Sequence, residues 1–135
     1  MSRSGYSDDL ESSELAMWRG VISSATRGKR GQRFFRDLVA ALDAMPVKRL
    51  VANELQTTDG EVCALGSLAR VRGVDLEPDD TYDHAKLGDT FDIASQLAQE
   101  VMFENDEAGP YGGEIPERRW ERVRKWASQQ IKVTP

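Results

Sequence analysis

Leu15, Trp18, Ile22 and Ala25 recur at intervals of three and four, with Met17 and Val21 on an adjoining line, a spacing that predicts a helix over 9–26. Ser7 followed by Asp8 and Asp9 supplies its start, where carboxylates favour the positive end of the helix dipole, and Gly28 supplies its stop. Phe35, Leu38, Leu42 and Met45, flanked by Phe34 and Val39, mark a second helix over 29–44 that Pro46 ends. The period then changes. Two short runs, 49–55 and 61–65, flank the turn signal Asp59-Gly60 and predict a two-stranded antiparallel hairpin. A short helix closed by Gly73 follows.

After a polar loop that offers Asp79, Asp80 and Thr81 as caps, Leu87, Phe91, Ala94, Ala98 and Val101 step by four and three, widened by Ile93 and Leu97. This predicts one long amphipathic helix over 87–106. A glycine- and proline-rich loop leads to Pro116, which suits the first turn of a last helix lined by Trp120, Val123, Ala127 and Ile131. Since a two-stranded hairpin is not stable alone, the fold expected is α+β and mostly helical: about five helices packed around the hairpin, in a single domain over 1–135.

Charge changes this picture more than composition does. The formal net charge of the 135-residue chain is −5, yet the charges are segregated. Between Leu15 and Arg36 there are six basic residues and no acid, whereas Asp75–Ala108 holds eleven acids against Lys86 alone. A lone cysteine, Cys63, rules out an internal disulfide and a multi-cysteine zinc site and suits a reducing compartment. The first residues lack the apolar core of a signal peptide, and no run reaches membrane-spanning length, so the expectation is a soluble cytoplasmic protein.

Two surfaces are candidates for binding. At the first bend, Gly28 and Gly31 frame Lys29 and Arg30, with Arg27, Arg33 and Arg36 alongside. Glycines admit close approach of backbone, helix-start amides point at anions, and the cations add charge, so the bend suits a phosphate or a nucleic-acid backbone. The Gly-Lys-Arg-Gly order is similar to the GxxG loop of KH domains. The alternative is a helical corner whose cations neutralise the acidic half. The second surface is the long acidic helix, where Asp92, Glu100, Glu104, Asp106 and Glu107 would meet a basic groove in place of phosphates. Tyr111 and Trp126 are expected to be exposed aromatic contacts beside it.

Catalysis finds little footing. His84 stands alone on an expected turn, Cys63 reads as a small core residue, and no nucleotide loop, nucleophile elbow or metal motif occurs. No catalytic residue, metal or cofactor is therefore expected.

The segments "RGKRGQRFFRDLVAALDAMP", "KRLVANEL", "VCALGSLARVRGVD", "FDIASQLAQEVMFENDEAGP" and "PERRWERVRKW" together resemble a group of small proteins encoded by proteobacterial phages and prophages. That resemblance implies a mobile-element origin and a non-enzymatic binding protein in the bacterial host cell. Its implied partner is a host protein or ribonucleoprotein, such as a CRISPR effector inhibited through the acidic helix. The alternative reading is a nucleic-acid-binding module built on the basic bend.

Overall fold

The structure, a computed structural model, describes residues 2–7 and 11–133. Six α-helices follow one another: α1 (Ser12–Arg27), α2 (Lys29–Ala44), α3 (Ala64–Arg72), α4 (His84–Phe91), α5 (Ser95–Asp106) and α6 (Pro116–Gln130), with a 3-10 turn at Pro78–Tyr82 before α4. The central element is α2, which packs against α1, α3 and α6. Its apolar stripe of Phe34, Phe35, Leu38 and Leu42 is sealed from solvent and meets Leu65 and Leu68 of α3, Phe91 of α4, Leu97 and Val101 of α5 and Val123 of α6. Each such side chain contributes about 1.5–3 kcal/mol by leaving water.

Three expectations require correction. The first is the hairpin: the described residues contain no strand and no sheet, only a single antiparallel bridge between Gln56 and Val62. The reversal at Asp59-Gly60 is present, with Gly60 at φ +86°, and Thr57 N–H donates to the Glu61 carbonyl at 2.8 Å. Cys63 N–H still donates to the Leu55 carbonyl at 3.3 Å and Val51 N–H to the Val62 carbonyl at 2.9 Å, but no regular ladder forms, for two local reasons. Asn53 adopts a left-handed φ of 69°, which breaks the first extended run. The second run is consumed by α3, because the Cys63 sulfur caps the helix by accepting from Gly66 N–H and Ala64 and Leu65 are already helical.

The second correction concerns the long helix, which is two. Asp92 turns left-handed at φ 55°, its N–H and that of Ile93 closing α4 onto the Asp89 and Gly88 carbonyls. The chain reverses and α5 folds back on α4. Gly88 makes this reversal possible, since a Cβ there would lie 2.8 Å from the Ile93 carbonyl oxygen. The apolar stripe survives the break, because Leu87, Phe91, Ile93, Leu97, Ala98 and Val101 are all buried.

The third concerns the first helix. It starts at Ser12, Ser7 is not helical, and the proposed capping acids Asp8 and Asp9 lie outside the described residues. None of its residues is fully buried: Trp18, Ile22 and Ala25 are half-buried, and Met17 is open to solvent. A buried glutamine holds the end of α1 to the end of α6 and to Lys132 just after it. Gln32 Nε2 donates to the carbonyls of Thr26 (2.7 Å) and Gln130 (2.9 Å), and its oxygen accepts from Lys132 N–H at 2.8 Å.

Candidate functional site

The basic bend is a tight corner between two helices. Gly28 is extended (φ −69°, ψ 167°) and separates α1 from α2 by one residue. Gly31 is not in a loop but inside the first turn of α2, and a Cβ there would sit 1.9 Å from the Ala25 carbonyl oxygen. Gly31 thus serves the helix crossing, while a Cβ at Gly28 would come no nearer than 3.5 Å to its neighbours, and a clamp of the KH kind also needs a sheet that the described residues do not form. The first turn of α2 has no side-chain cap and no acid, leaving its backbone amides beside Lys29 and Arg30.

Arg27, Lys29, Arg30, Arg33 and Arg36 are all exposed. Only Arg30 reaches an acid, Asp92 at 3.3 Å, and both side chains of that pair remain 63% exposed. Among the described residues, Arg27, Lys29, Arg33 and Arg36 take part in no ion pair. Lys29, Arg33 and Arg36 are spaced i, i+4, i+7 and therefore share one face of α2. Neutralisation of the acidic half accounts for one cation of the five.

The acidic residues are used elsewhere. Residues 2–7, which carry no periodic signal, form a strap laid across α5. Arg3 is buried, and its guanidinium grips Asp106 at two points, Nε to Oδ2 at 2.5 Å and Nη2 to Oδ1 at 2.8 Å. Its third nitrogen donates to Thr81 Oγ1 at 3.2 Å and lies 3.5 Å from the Cys63 sulfur. Ser4 Oγ donates to Glu107 at 2.5 Å, and the Tyr6 hydroxyl donates to Glu100 at 2.9 Å. Asp106 also accepts from the Asn53 N–H and from Asn105 Nδ2, so four donors surround it.

Of the five acids expected to meet a partner, Asp106 is therefore sealed inside, and Glu100 and Glu107 hold the strap. Glu104 is half-buried, 3.8 Å from Arg122, and its carboxyl is pushed above the ordinary glutamate range, first by burial and then by Glu100, against an opposing pull from Arg122. Asp92 stands well out, paired with Arg30, and Glu107, though bonded to Ser4, is exposed as well. Tyr111 is fully exposed at the tip of the loop before α6, as expected. Trp126 is not: it packs edge-on against Phe35 at 5.4 Å and belongs to the core margin.

The two residues weighed for catalysis have structural partners. The His84 ring Nε2 bonds the Arg3 carbonyl at 2.7 Å, and Cys63 is wholly buried as the α3 cap. No group of three metal-ligating side chains occurs among the described residues, and no helix there is long and apolar enough to cross a membrane. The strap residues Arg3, Ser4 and Tyr6 are what sequence reasoning missed. A buried arginine has no periodicity to betray it.

No family model, no curated protein and no solved structure matches the chain. The resemblance to phage and prophage proteins rests on the quoted segments alone.

Proposed function

We propose that the protein is a non-enzymatic binding protein that holds the phosphate backbone of a nucleic acid along the cationic face of α2. The observation that carries this reading is that Lys29, Arg33 and Arg36 stand exposed on one face of α2, with Arg27 exposed at the end of α1, all four without ion-pair partners among the described residues. Long cationic side chains released from ion pairs are free to displace counterions from phosphates, the main source of sequence-independent affinity. The uncapped start of α2 adds amide donors at the same end. Of the five acids weighed as a partner surface, Glu100, Asp106 and Glu107 hold the strap, and Asp92 reaches only Arg30 among the cations of the bend.

The test is a salt titration of binding to short DNA and RNA, single- and double-stranded. Four phosphate contacts on duplex predict a log–log salt slope of about −3 to −4. The variant Lys29→Glu/Arg33→Glu/Arg36→Glu, all at exposed positions, is expected to fold normally and lose that binding. Absence of binding at low salt, or binding that survives the charge reversal, removes the reading. Inhibition of a host complex through the acidic helix would then be pursued by pull-down, with Asp92, Glu107 and Tyr111 as the groups still facing outward.

A further inference from the structure

The cationic face of α2 has a shape as well as a charge. Lys29, Arg33, Arg36 and Ala40 follow one another at intervals of four, three and four residues, and all four are exposed. At a rise of about 1.5 Å per residue they form one line, about 16 Å long, on the outer side of the helix. The opposite side carries Phe34, Phe35, Leu38 and Leu42, which are sealed in the core. The line is therefore the crest of a fixed ridge and not the wall of a groove.

α2 contains two acids, and each is tied to an arginine of another helix. Asp37 is 3.0 Å from Arg72 of α3, and Asp43 meets Arg124 of α6 through two contacts of 3.0 Å. Both pairs are neutral from outside, so neither acid offsets the three cations of the crest. Asp43, one step beyond Ala40, marks the end of the line. The aromatic side chains open to solvent, Tyr82 and Tyr111, belong to the 3-10 turn and to the loop before α6.

Single-stranded nucleic acid is held in cationic grooves where rings stack on its bases. A crest made of lysine, arginine and alanine offers bases no such platform. It matches what a duplex presents on its outside, lines of phosphate with one charge per about 1.7 Å of axis. We infer, on the reading of α2 as a phosphate-binding face, that its ligand is double-stranded and is held by its backbone without readout of base sequence. The phosphates run along the helix axis from Lys29 to Ala40. At Ala40 the line continues without a charge, so a cation placed there reaches one more phosphate.

The experiment is an anisotropy titration of the full chain with short labelled DNA over a range of salt. A duplex is compared with a single strand of thymidines carrying the same number of phosphates. The expected result is duplex binding tighter by about tenfold or more, equal for two duplexes of unrelated sequence. Ala40→Lys should tighten duplex binding and steepen the log–log salt slope by about 0.9, the increment of one further contact. Arg33→Gln should move both the other way by the same step. Tyr82→Lys, which adds the same charge at an exposed position off α2, should leave the slope unchanged. Misfolding does not produce a gain of binding, so the Ala40 variant decides the placement. Equal or tighter binding of the single strand, or affinity that follows duplex sequence, overturns this inference and leaves the phosphate-binding face intact. So does an Ala40→Lys chain that binds duplex like the native one, or no more tightly than Tyr82→Lys. Absence of binding to either form removes the face itself, so the two failures are told apart.

Discussion

The Arg3 guanidinium and the Asp106 carboxylate face each other in parallel, two nitrogens on two oxygens, with both side chains only 1% exposed. Removing one partner of a buried pair leaves the other charged and without water, so Arg3→Ala is expected to cost about 3–5 kcal/mol. Asp106→Asn should cost a similar amount. The double variant should lose much less than the sum, because neither charge is then stranded. Arg3→Lys should not rescue, since an ammonium lacks the planar fork that spans both oxygens. Denaturant unfolding of the four variants measures this. Additive losses would mean that the strap is held by something other than this pair.

The same socket shields Cys63. Its sulfur is fully buried, accepts from Gly66 N–H at 3.4 Å, and is covered by Arg3. In the native chain it should react with an aromatic disulfide reagent only as fast as the structure opens. Arg3→Ala should speed labelling markedly, while Lys29→Glu, far from the socket, should leave it unchanged. Rapid labelling of the native chain would contradict the closed strap.

Glycines of equal composition differ in role at the first corner. Gly31 carries the crossing of α1 and α2, where an added Cβ meets backbone oxygen at 1.9 Å. Gly31→Ala should therefore destabilise by about 1–3 kcal/mol through forced displacement of the helices. Gly20, in the middle of α1, has nothing within 4 Å of the same added atom. There the helix propensity of alanine is unopposed, and Gly20→Ala should stabilise by about 0.5–1 kcal/mol. Opposite signs in a melting experiment are the expected result.

Periodicity made the helices legible: Phe35, Leu38 and Leu42 on α2 and Val123 and Ala127 on α6 are buried as their spacing requires. It failed wherever one residue decides the backbone. Asn53 and Asp92 adopt left-handed conformations that end an extended run and a helix, and neither interrupts the apolar pattern around it. The cations of the bend could be found from charge clustering, and their lack of partners is a property of the fold alone. The acidic helix misled for a related reason. A carboxylate on a helix reads as solvated, unless a segment distant in sequence brings its counterpart, as Arg3 does for Asp106, 103 positions away.

Glu104 predicts a pH dependence whose sign follows from its surroundings. Burial and then Glu100 raise its carboxyl above the ordinary range, with Arg122 in partial opposition. In the unfolded chain the group titrates near the usual value of about 4.3. Between that value and the higher folded one, the folded chain binds more protons than the unfolded chain, so stability from this group falls as pH rises through the window. Above the folded pKa the penalty is complete, and below about 4.3 it is absent. Glu104→Gln removes the charge and keeps the shape, so it should melt higher than the native chain at neutral pH. The advantage should shrink as pH is lowered through the window and disappear below it. Melting curves of both proteins across that range provide the measurement. A difference independent of pH would place its origin in packing, and a variant less stable at neutral pH would show that the pairing with Arg122 outweighs burial and Glu100.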